Sequence, residues 1–389
     1  MNTLLSADQQ ALQESCHALL QKEWPPARTI ETLGPGGSAH SRELWRKLAE
    51  AGWLGFPFSS EIGGGEADLT DLGVIYRAAG QRLVPTSFYS CLFAGMLVDA
   101  LATSTQKKDL LGPMIAGNLI LTTAYAEPQA AETTRLFTAA ATAHGHEWIL
   151  SGVKSLVADL GSADVVLILA RLRLASEAGG WGLFAVRKDV LKERLRRMPA
   201  FGSTSLWEIK LDQLKLPMEC LLGGLAVADN TLVAFEKTVE KATALMCMEM
   251  AGGIQGVLDF TVAYVKERKQ FGRPLGANQA VQHMLANMAI ALDGARIAAL
   301  KALFLVAKGR AAGRSLAIAK VCLGETYVNA TITSQQLCGA MGYSRETGLY
   351  LWSERAKVTD VWFGTRASHL QALTRHMGLV ARIGVVNEL

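Results

Sequence analysis

A corner between two predicted helices carries the residues with the most evident chemistry in this sequence. Arg268 and Phe271 are three residues apart at the end of the first helix, so both fall on one face. The segment 272–276, with two glycines and a proline, ends that helix, and Gln279 and Gln282 share a stripe of the next. Guanidinium forks match phosphate oxygens and helix N-termini favour anions, so the corner suits a dinucleotide's pyrophosphate and adenine. The alternative is an ordinary helix turn with a solvated run of charges.

This corner lies in a C-terminal block, residues 230–389, which we expect to be helical. Pro274 is the only proline beyond Pro217, which leaves room for long helices. The expected helices are 230–269, 277–309, 313–341, 345–357 and 366–384. Long helices that run parallel or antiparallel to one another form a bundle.

A different pattern occupies residues 119–229. Short runs of alternating or β-branched residues predict strands there. The expected strands are 119–124, 148–150, 165–169, 182–186 and 206–211. We expect a small, mostly antiparallel β-domain or barrel, with a helical insertion at 190–197.

Residues 1–118 form a further block, again helical. Ser6 can cap a first helix that extends to about Lys22, and Pro25-Pro26 ends it. Further helices are expected over 41–51, from Thr70 or Asp71 to Arg82, over 87–101, and from Gln106 to near Gly117. The predicted class is therefore α+β, with the order helical domain, β-domain, helical bundle.

Composition sets limits on the class of protein. The chain has 389 residues, half of them hydrophobic, and a net charge of +4, which argues for neither a nucleic-acid nor an acidic partner. Six cysteines and seven histidines show no disulfide-like or metal-like spacing, so we expect reduced thiols in a cytoplasmic protein. The N-terminus lacks a basic region before an apolar stretch, and apolar segments fall short of the roughly 20 residues that span a bilayer. We therefore predict no signal peptide and no membrane insertion.

Motifs along the whole chain resemble the acyl-CoA dehydrogenase flavoproteins. The string from Tyr264 to Met288, around the corner, is similar to the signature of that family. Further motifs fall in the family's order at Trp53-Leu54-Gly55, Glu61-Ile62-Gly63-Gly64, Ala126-Glu127-Pro128, Gln336 to Tyr343 and Phe363-Gly364-Thr365. The resemblance implies an N-terminal helical domain, a central β-barrel domain and a C-terminal four-helix bundle. It also implies FAD as cofactor and the conversion of an acyl-CoA thioester to a 2,3-enoyl-CoA.

The resemblance implies a set of cofactor contacts, position by position. The residues at the corresponding positions are Arg268, Phe271, Gln279, Gln336, Gly339, Ala340, Thr365, Leu156, Ala158 and Tyr125. In the family, the residues that correspond to Arg268, Phe271, Gln279, Gln336 and Gly339 touch the FAD of the neighbouring subunit. The part that each chain supplies to its own flavin departs from the family pattern. Leu156-Val157-Ala158 replaces a Trp-x-Thr segment, and Gln129 to Glu132 lacks the usual glycine and serine, although Thr133 or Thr134 can supply a hydroxyl.

The catalytic base is missing from both of its usual positions. Removal of the α-proton needs a carboxylate with a pKa near neutrality. Most family members place a glutamate directly before the Gly-Thr pair, where this chain has Phe363, and a second group places it at the position of Ala242. Glu249, seven residues after Ala242, is our candidate base, with Asp360 as a second candidate, while Glu240 turns to a different face. The alternative for Glu249 is a buried acid paired with an arginine or a backbone group.

These departures predict a subunit that lends half a cofactor site to a homologous, catalytically complete partner. The chain resembles the small-subunit type, such as the pimeloyl-CoA dehydrogenase small subunit. The implied partners are an acyl-CoA substrate, a homologous subunit or a second copy in a tetramer, and electron-transfer flavoprotein as electron acceptor. The alternatives are a self-sufficient homotetramer that uses Glu249 or Asp360, a scaffold without cofactor, and a flavin oxidase or monooxygenase.

Overall fold

The computed structural model describes residues 4–129, 136–173, 178–270 and 272–379. Its N-terminal part is helical, with helices α1 (Ala7–Glu23), α2 (Pro26–Leu33), α3 (Arg42–Glu50), α4 (Leu69–Gln81), α5 (Ser87–Leu101) and α6 (Ser104–Ile115). Ser6 caps α1 through a capping box with Gln9, as predicted from the sequence. Asp68, rather than Thr70 or Asp71, caps α4, because its carboxylate accepts the Thr70 N–H at 2.8 Å.

Helix α2 was missed because the Pro25-Pro26 pair was interpreted only as the end of α1. Pro26 is the first residue of α2, where its missing N–H has no partner within the helix in any case. Helix α5 is buried along most of its length and lies at the centre of this domain. It therefore packs on both the β-domain and the C-terminal helices.

The central domain contains two sheets. The strands are β1 (Leu121–Ala124), β2 (Ala140–His144), β3 (Glu147–Ser151), β4 (Val153–Ala158), β5 (Val165–Arg173), β6 (Ala178–Arg187), β7 (Leu195–Met198), β8 (Leu206–Lys210) and β9 (Leu214–Pro217). The larger sheet has the order β1-β5-β2-β3-β9, with β6 on β5, and the smaller has the order β4-β8-β7. Most pairs are antiparallel, as predicted, but β1 and β2 both run parallel to β5.

Two details of the predicted β-domain differ from the structure: the helical insertion is a 3₁₀ helix that ends earlier than predicted, and several strands were not predicted. A 3₁₀ turn at Lys188–Arg194, followed by strand β7, occupies the place of the predicted helical insertion at 190–197. Four strands, β2, β4, β7 and β9, were not predicted, because short strands in this domain are defined by their pairing partners more than by their own residues.

The C-terminal part is a bundle of long helices. They are α7 (Ala228–Glu267), α8 (Gln279–Ala307), α9 (Gly313–Cys338), α10 (Leu349–Val361) and α11 (Arg366–His376), with a short hairpin of β10 (Lys269–Gln270) and β11 (Arg273–Pro274) between α7 and α8. Helices α7, α8 and α9 pack on one another, and α10 and α11 pack on α9. The predicted α+β class with helical, β and helical domains is confirmed, whereas the boundaries at residues 118 and 229 stay predictions.

Glycines allow α4 and α7 to cross closely. A Cβ on Gly252 would lie 1.9 Å from the Arg77 carbonyl oxygen, and one on Gly80 would lie 2.0 Å from that of Glu249. A Cβ on Gly253 would lie 2.1 Å from the Tyr327 hydroxyl oxygen, and one on Gly256 would lie 2.5 Å from the Gln81 carbonyl oxygen. These glycines therefore serve helix packing rather than space for a ligand. Within the described residues, we find no helix with the length and apolar character needed to cross a bilayer.

Candidate functional site

A cavity of about 460 Å³ lies between the β-domain, helix α5 and the segment that follows α10. Its lining includes five residues that sequence analysis had singled out, namely Tyr125, Leu156, Ala158, Phe363 and Thr365. These residues are up to 240 positions apart in the chain, and only the fold brings them together. The volume is in the range of small-molecule sites, about 300–1,000 Å³.

Aromatic rings form one wall of this cavity. Phe93 of α5 meets Phe363 edge to face, with ring centroids 5.1 Å apart, and Trp362 stacks on Phe363 at 5.8 Å. The rings of Phe235 of α7 and Tyr125 also pack together, with their centroids 5.4 Å apart. Phe363 has a φ of +59°, an uncommon conformation for a non-glycine residue, and the packed rings hold it there. The position that usually carries the base therefore presents a ring inside an aromatic cluster.

The opposite wall is an aliphatic shelf on strand β4. Leu156 lies in a register shift between Lys154 and Val157, has a φ of +54° and is 45% exposed towards the cavity. The backbone beside it is fixed, because the Thr122 hydroxyl donates to the Ala158 carbonyl at 2.6 Å. This wall matches the departure seen in the sequence, since an aliphatic side chain stands where an aromatic ring was expected.

Thr123 provides an unused hydrogen-bonding group beside this shelf. Its side chain is 5% exposed, it lines the cavity, and its hydroxyl has no hydrogen-bond partner among the described residues. A buried hydroxyl without a partner is costly, so a ligand or water with a polar edge fits here.

A buried ion pair supports the floor of the cavity. Lys154 Nζ lies 2.8 Å from Glu127 Oε1 and donates to the Tyr125 carbonyl at 3.1 Å. The other Glu127 oxygen accepts the Thr138 N–H at 2.7 Å. Burial lowers the pKa of Lys154 to about 8, and the hydrogen bond to Glu127 opposes this shift. Lys154 thus ties strand β4 to the segment that carries Tyr125.

Asp159 is a titratable residue next to the cavity that sequence analysis missed. It directly follows Ala158, is buried, and accepts hydrogen bonds from Thr86 at 2.8 Å and Ser90 at 2.9 Å. Burial raises its pKa to about 6, and these hydrogen bonds oppose the shift. Ser90 itself lines the cavity. An aspartate that follows a strand is usually interpreted as an exposed turn residue. The sequence therefore gives no sign that Asp159 is buried under α5.

Glu249 lies outside the cavity lining. Its side chain is 0% exposed, and Arg355 Nη1 donates to its Oε1 at 2.9 Å, while Nη2 of the same guanidinium donates to the Val84 carbonyl at 3.0 Å. Burial raises the pKa of Glu249, and the Arg355 charge opposes the shift. This geometry corresponds to the alternative interpretation, a buried acid paired with an arginine, and gives no support to Glu249 as a base.

The other acidic candidates, Asp360 and Glu240, are not among the residues that line the cavity either. Asp360 is paired with Arg366 at 2.9 Å, Glu240 is exposed on α7, and Ala242 is buried in the same helix. In the described part of the chain, no aspartate or glutamate lines the cavity. Burial raises the pKa of Tyr125 to about 12, so its hydroxyl stays protonated at neutral pH.

Lys320 holds the end of α10 in place. This buried residue of α9 donates to the carbonyl oxygens of Thr359 at 2.6 Å and Trp362 at 2.8 Å. A cation at a helix C-terminus is favourable, because the last carbonyl groups have no partners within the helix. The Trp362 and Phe363 rings are thereby anchored from outside the cavity.

The predicted phosphate-binding corner is a separate, exposed surface. Arg268 caps the C-terminus of α7, and Gln279 begins α8. The exposed residues Gln336, Gly339 and Ala340 lie at the end of α9, which the Tyr264 hydroxyl joins to α7 through a 3.2 Å bond to the Cys338 carbonyl. Phe271, Thr133 and Thr134 lie outside the described residues. The structure thus divides the predicted cofactor residues into an enclosed group and an exposed group.

Comparisons with known proteins point to one family. Residues 6–118 match the family model "Acyl-CoA dehydrogenase, N-terminal domain", and residues 233–378 match "Acyl-CoA dehydrogenase, C-terminal domain". A probable acyl-CoA dehydrogenase of Bacillus subtilis, YngJ, is 27% identical over 96% of this chain and 98% of its own length. The short-chain specific acyl-CoA dehydrogenase of Clostridium acetobutylicum is 26% identical over 82% and 85%. The structure of butyryl-CoA dehydrogenase from Megasphaera elsdenii superposes with a TM-score of 0.85 over 97% of this chain and 100% of that chain, at 22% identity, and shows the same fold.

Proposed function

The chain belongs to the acyl-CoA dehydrogenase family, and we propose that it acts there as an FAD-dependent subunit that lacks its own catalytic base. The reaction is the α,β-dehydrogenation of an acyl-CoA thioester to a 2,3-enoyl-CoA. The base comes from a homologous subunit that carries the usual glutamate, and electron-transfer flavoprotein accepts the electrons. This is the arrangement of the small-subunit type that the motifs resemble.

The residues of the cavity fit a flavin ring. Leu156 and Ala158 offer a flat apolar shelf, Phe363 and Tyr125 close the opposite side, and the partnerless Thr123 hydroxyl is available to a polar ring edge. When bound, FAD supplies the hydride acceptor. The contribution of this chain is to hold and orient the ring and to keep water away from it.

The single observation that carries the proposal is the lack of a carboxylate in the described lining of the cavity. An α-proton is too weakly acidic to leave without a positioned base. Neither Tyr125, whose pKa is raised, nor the hydroxyl of Thr365 can replace a carboxylate at neutral pH. The chain can therefore bind and orient, but the proton must be taken by a group outside this cavity.

The exposed corner supports a cofactor shared between two polypeptides. Arg268, Gln279 and Gln336 keep their polar ends in solvent, and none of them lines the cavity at Leu156. A guanidinium and two amides that face outwards can serve phosphate and adenine groups of a cofactor whose ring is held by another subunit. This arrangement needs a second dehydrogenase-like chain, of the same or a different sequence.

The test compares the protein expressed alone with the protein co-expressed with a homologous subunit that has a glutamate before its Gly-Thr pair. We expect weak flavin absorbance and no anaerobic bleaching by acyl-CoA for the chain alone, and full flavin content with bleaching for the complex. Arg268→Gln should lower the flavin content of the complex, whereas Arg197→Gln, an exposed change in β7, should not. Full FAD occupancy with rapid bleaching by the chain alone would refute the proposal.

A further inference from the structure

A second cavity, of about 270 Å³, lies apart from the first and is not lined by Glu249 or its partner Arg355. It is enclosed by α1, α4 and the second half of α8, and Met248 of α7 forms part of its floor. None of its lining residues belongs to the cavity at Phe363 or to the exposed corner at Arg268. Neither the sequence motifs nor the proposed function assigns a role to it.

Arg77 of α4 is the polar centre of this second cavity. Its guanidinium is partly buried, and it forms no ion pair or hydrogen bond with any residue that the structure describes. The charges of Asp259 and Asp293 favour the protonated form of Arg77, but neither acid bonds to it, since Asp259 accepts from Gln81 at 2.7 Å and Asp293 accepts from Arg296 at 3.3 Å. An arginine that is partly desolvated without a partner is unfavourable unless an anion reaches it.

The backbone beneath Arg77 is fixed, because the α4–α7 crossing leaves no space at Gly252, where a Cβ would meet the Arg77 carbonyl at 1.9 Å. The guanidinium therefore projects from a rigid base. Binding of an anion then has to order only the Arg77 side chain and not the backbone that carries it.

Two further basic residues line this cavity, His17 and Arg296. Burial lowers the pKa of His17, and the charges of Arg82 and Arg77 lower it further, whereas Asp259 opposes the shift. The imidazole shares a 3.3 Å hydrogen bond with Gln13. An anion that enters would meet cationic and neutral donor groups.

The other end of the cavity is apolar. Val74 and Met248 face a patch on α8 that is formed by Leu300, Leu303 and Phe304. A small inorganic anion would leave this surface without contacts, and a hydrocarbon without charge would leave Arg77 without a partner. Only a molecule with an anionic head and an apolar tail satisfies both ends.

We propose that this second cavity binds a carboxylate with a short apolar tail, such as a free short- or medium-chain fatty acid. The carboxylate accepts a forked pair of hydrogen bonds from Arg77, and the tail lies against Leu300, Leu303 and Phe304. Occupancy joins α1 to α4 and α8, so the ligand stabilises the folded chain by mass action. The site shares no lining residue with the first cavity, so the inference does not depend on FAD binding or on the missing base.

Titration calorimetry on the full-length protein tests this inference, with hexanoate and octanoate as probes. Acetate, which lacks a tail, and 1-octanol, which lacks a carboxylate, should each bind at least about tenfold more weakly than octanoate. Arg77→Gln should weaken octanoate binding by about tenfold or more, because a charge-assisted pair is lost. Arg77→Lys, which keeps the charge but not the fork, should give an intermediate affinity. Arg197→Gln, with the same change of charge at an exposed site, should bind as the wild type does.

Two results would overturn the inference: octanol binding as tightly as octanoate, or wild-type affinity in Arg77→Gln. Circular dichroism establishes that each variant is folded before titration. If the glutamine variant is unstable, the octanoate affinity of Arg77→Lys tests the same position. Octanoate affinity that is equal in the lysine variant and the wild type would also contradict the forked contact.

Discussion

Phe93 and Phe363 meet edge to face with their ring centroids 5.1 Å apart, and this contact closes the place where a catalytic carboxylate is expected. The pair joins the N-terminal domain to the segment after α10, so the aromatic wall is part of the core as well as part of the cavity. The position where the sequence predicts a missing base is therefore filled by packed aromatic rings rather than left as an open gap.

Installing a carboxylate in this wall should restore proton abstraction. Phe363→Glu places an acid among Phe93, Trp362 and Tyr125, where burial raises its pKa towards the range that a general base needs. In an assembled, flavin-containing complex whose homologous subunit has its own glutamate replaced by glutamine, we expect the rate of anaerobic flavin bleaching by acyl-CoA to rise by about 10²-fold or more. Val361→Glu, at a lining residue that is 57% exposed, is the control and should leave the rate unchanged. Equal rates in both variants would count against the position of the base.

Glu249 should matter for stability rather than for chemistry. Glu249→Gln leaves the Arg355 charge buried without its counter-ion, which costs about 3 kcal/mol or more. Denaturant unfolding measures this loss, and the exposed Glu240→Gln should stay within about 0.5 kcal/mol of the wild type. Turnover per folded, assembled molecule should be unchanged in both variants. Loss of turnover in Glu249→Gln at normal stability and flavin content would instead identify a relocated base.

Asp159 should make stability depend on pH. Burial raises the pKa of Asp159 to about 6 in the folded protein, from the ordinary aspartate value of 3.8, so between these values the folded state holds a proton that the unfolded state has lost. The free energy of unfolding that this residue contributes is therefore fully present below about pH 4 and is lost as the pH rises through 6. The loss is about 3 kcal/mol for a shift of about two pKa units.

Asp159→Asn should remove this dependence. The amide stays neutral, so unfolding measured from pH 4 to pH 7 should show a flatter profile than the wild type, with higher relative stability at pH 7. The Ser90 hydroxyl can accept a hydrogen bond from the side-chain amide that Asp159→Asn introduces, because it can donate instead to the Ser87 carbonyl, which lies 3.4 Å away. A profile as steep as that of the wild type would show that another group titrates in this range.

The α4–α7 crossing should be intolerant of a single methyl group. Gly252→Ala forces a Cβ to within 1.9 Å of the Arg77 carbonyl, and helix backbones must separate to relieve the overlap. We expect a loss of about 1–3 kcal/mol in the free energy of unfolding. Gly112→Ala in α6 meets no atom within 4 Å and should instead gain about 0.5–1 kcal/mol from helix propensity. A neutral Gly252→Ala would contradict the close packing.

The order of helices and strands could be predicted from the sequence because the signals are local. The lack of prolines after Pro274 and the capping box at Ser6 are examples, and the predicted helix at 230–269 matches α7 at Ala228–Glu267. The strands β4 and β9 escaped prediction because their stability depends on distant partners. Asp68 was overlooked as a cap because Thr70 and Asp71 carry equally good capping groups.

The candidate site was harder to predict, because it depends on contacts between residues that are far apart in the chain. Tyr125, Leu156 and Phe363 were identified from motifs, and the fold brings them to one cavity. The pairing of Glu249 with Arg355 spans 106 residues, and the burial of Asp159 depends on α5, so neither appears in any local pattern. Arg77 likewise looks like an ordinary surface residue of a helix until α1 and α8 are placed around it.

The two hydrogen bonds from Lys320 to the carbonyl oxygens of Thr359 and Trp362 limit how far the first cavity can widen. Widening it by moving the Trp362–Phe363 segment would pull carbonyl groups away from a buried ammonium, which has no other described partner for its proton donors. Helix α9 therefore stabilises the aromatic wall of the cavity through Lys320, although none of its residues lines the cavity. Variation in the size of the ligand is more readily accommodated on the side of Leu156 and Phe201, where exposed side chains can rearrange at little cost.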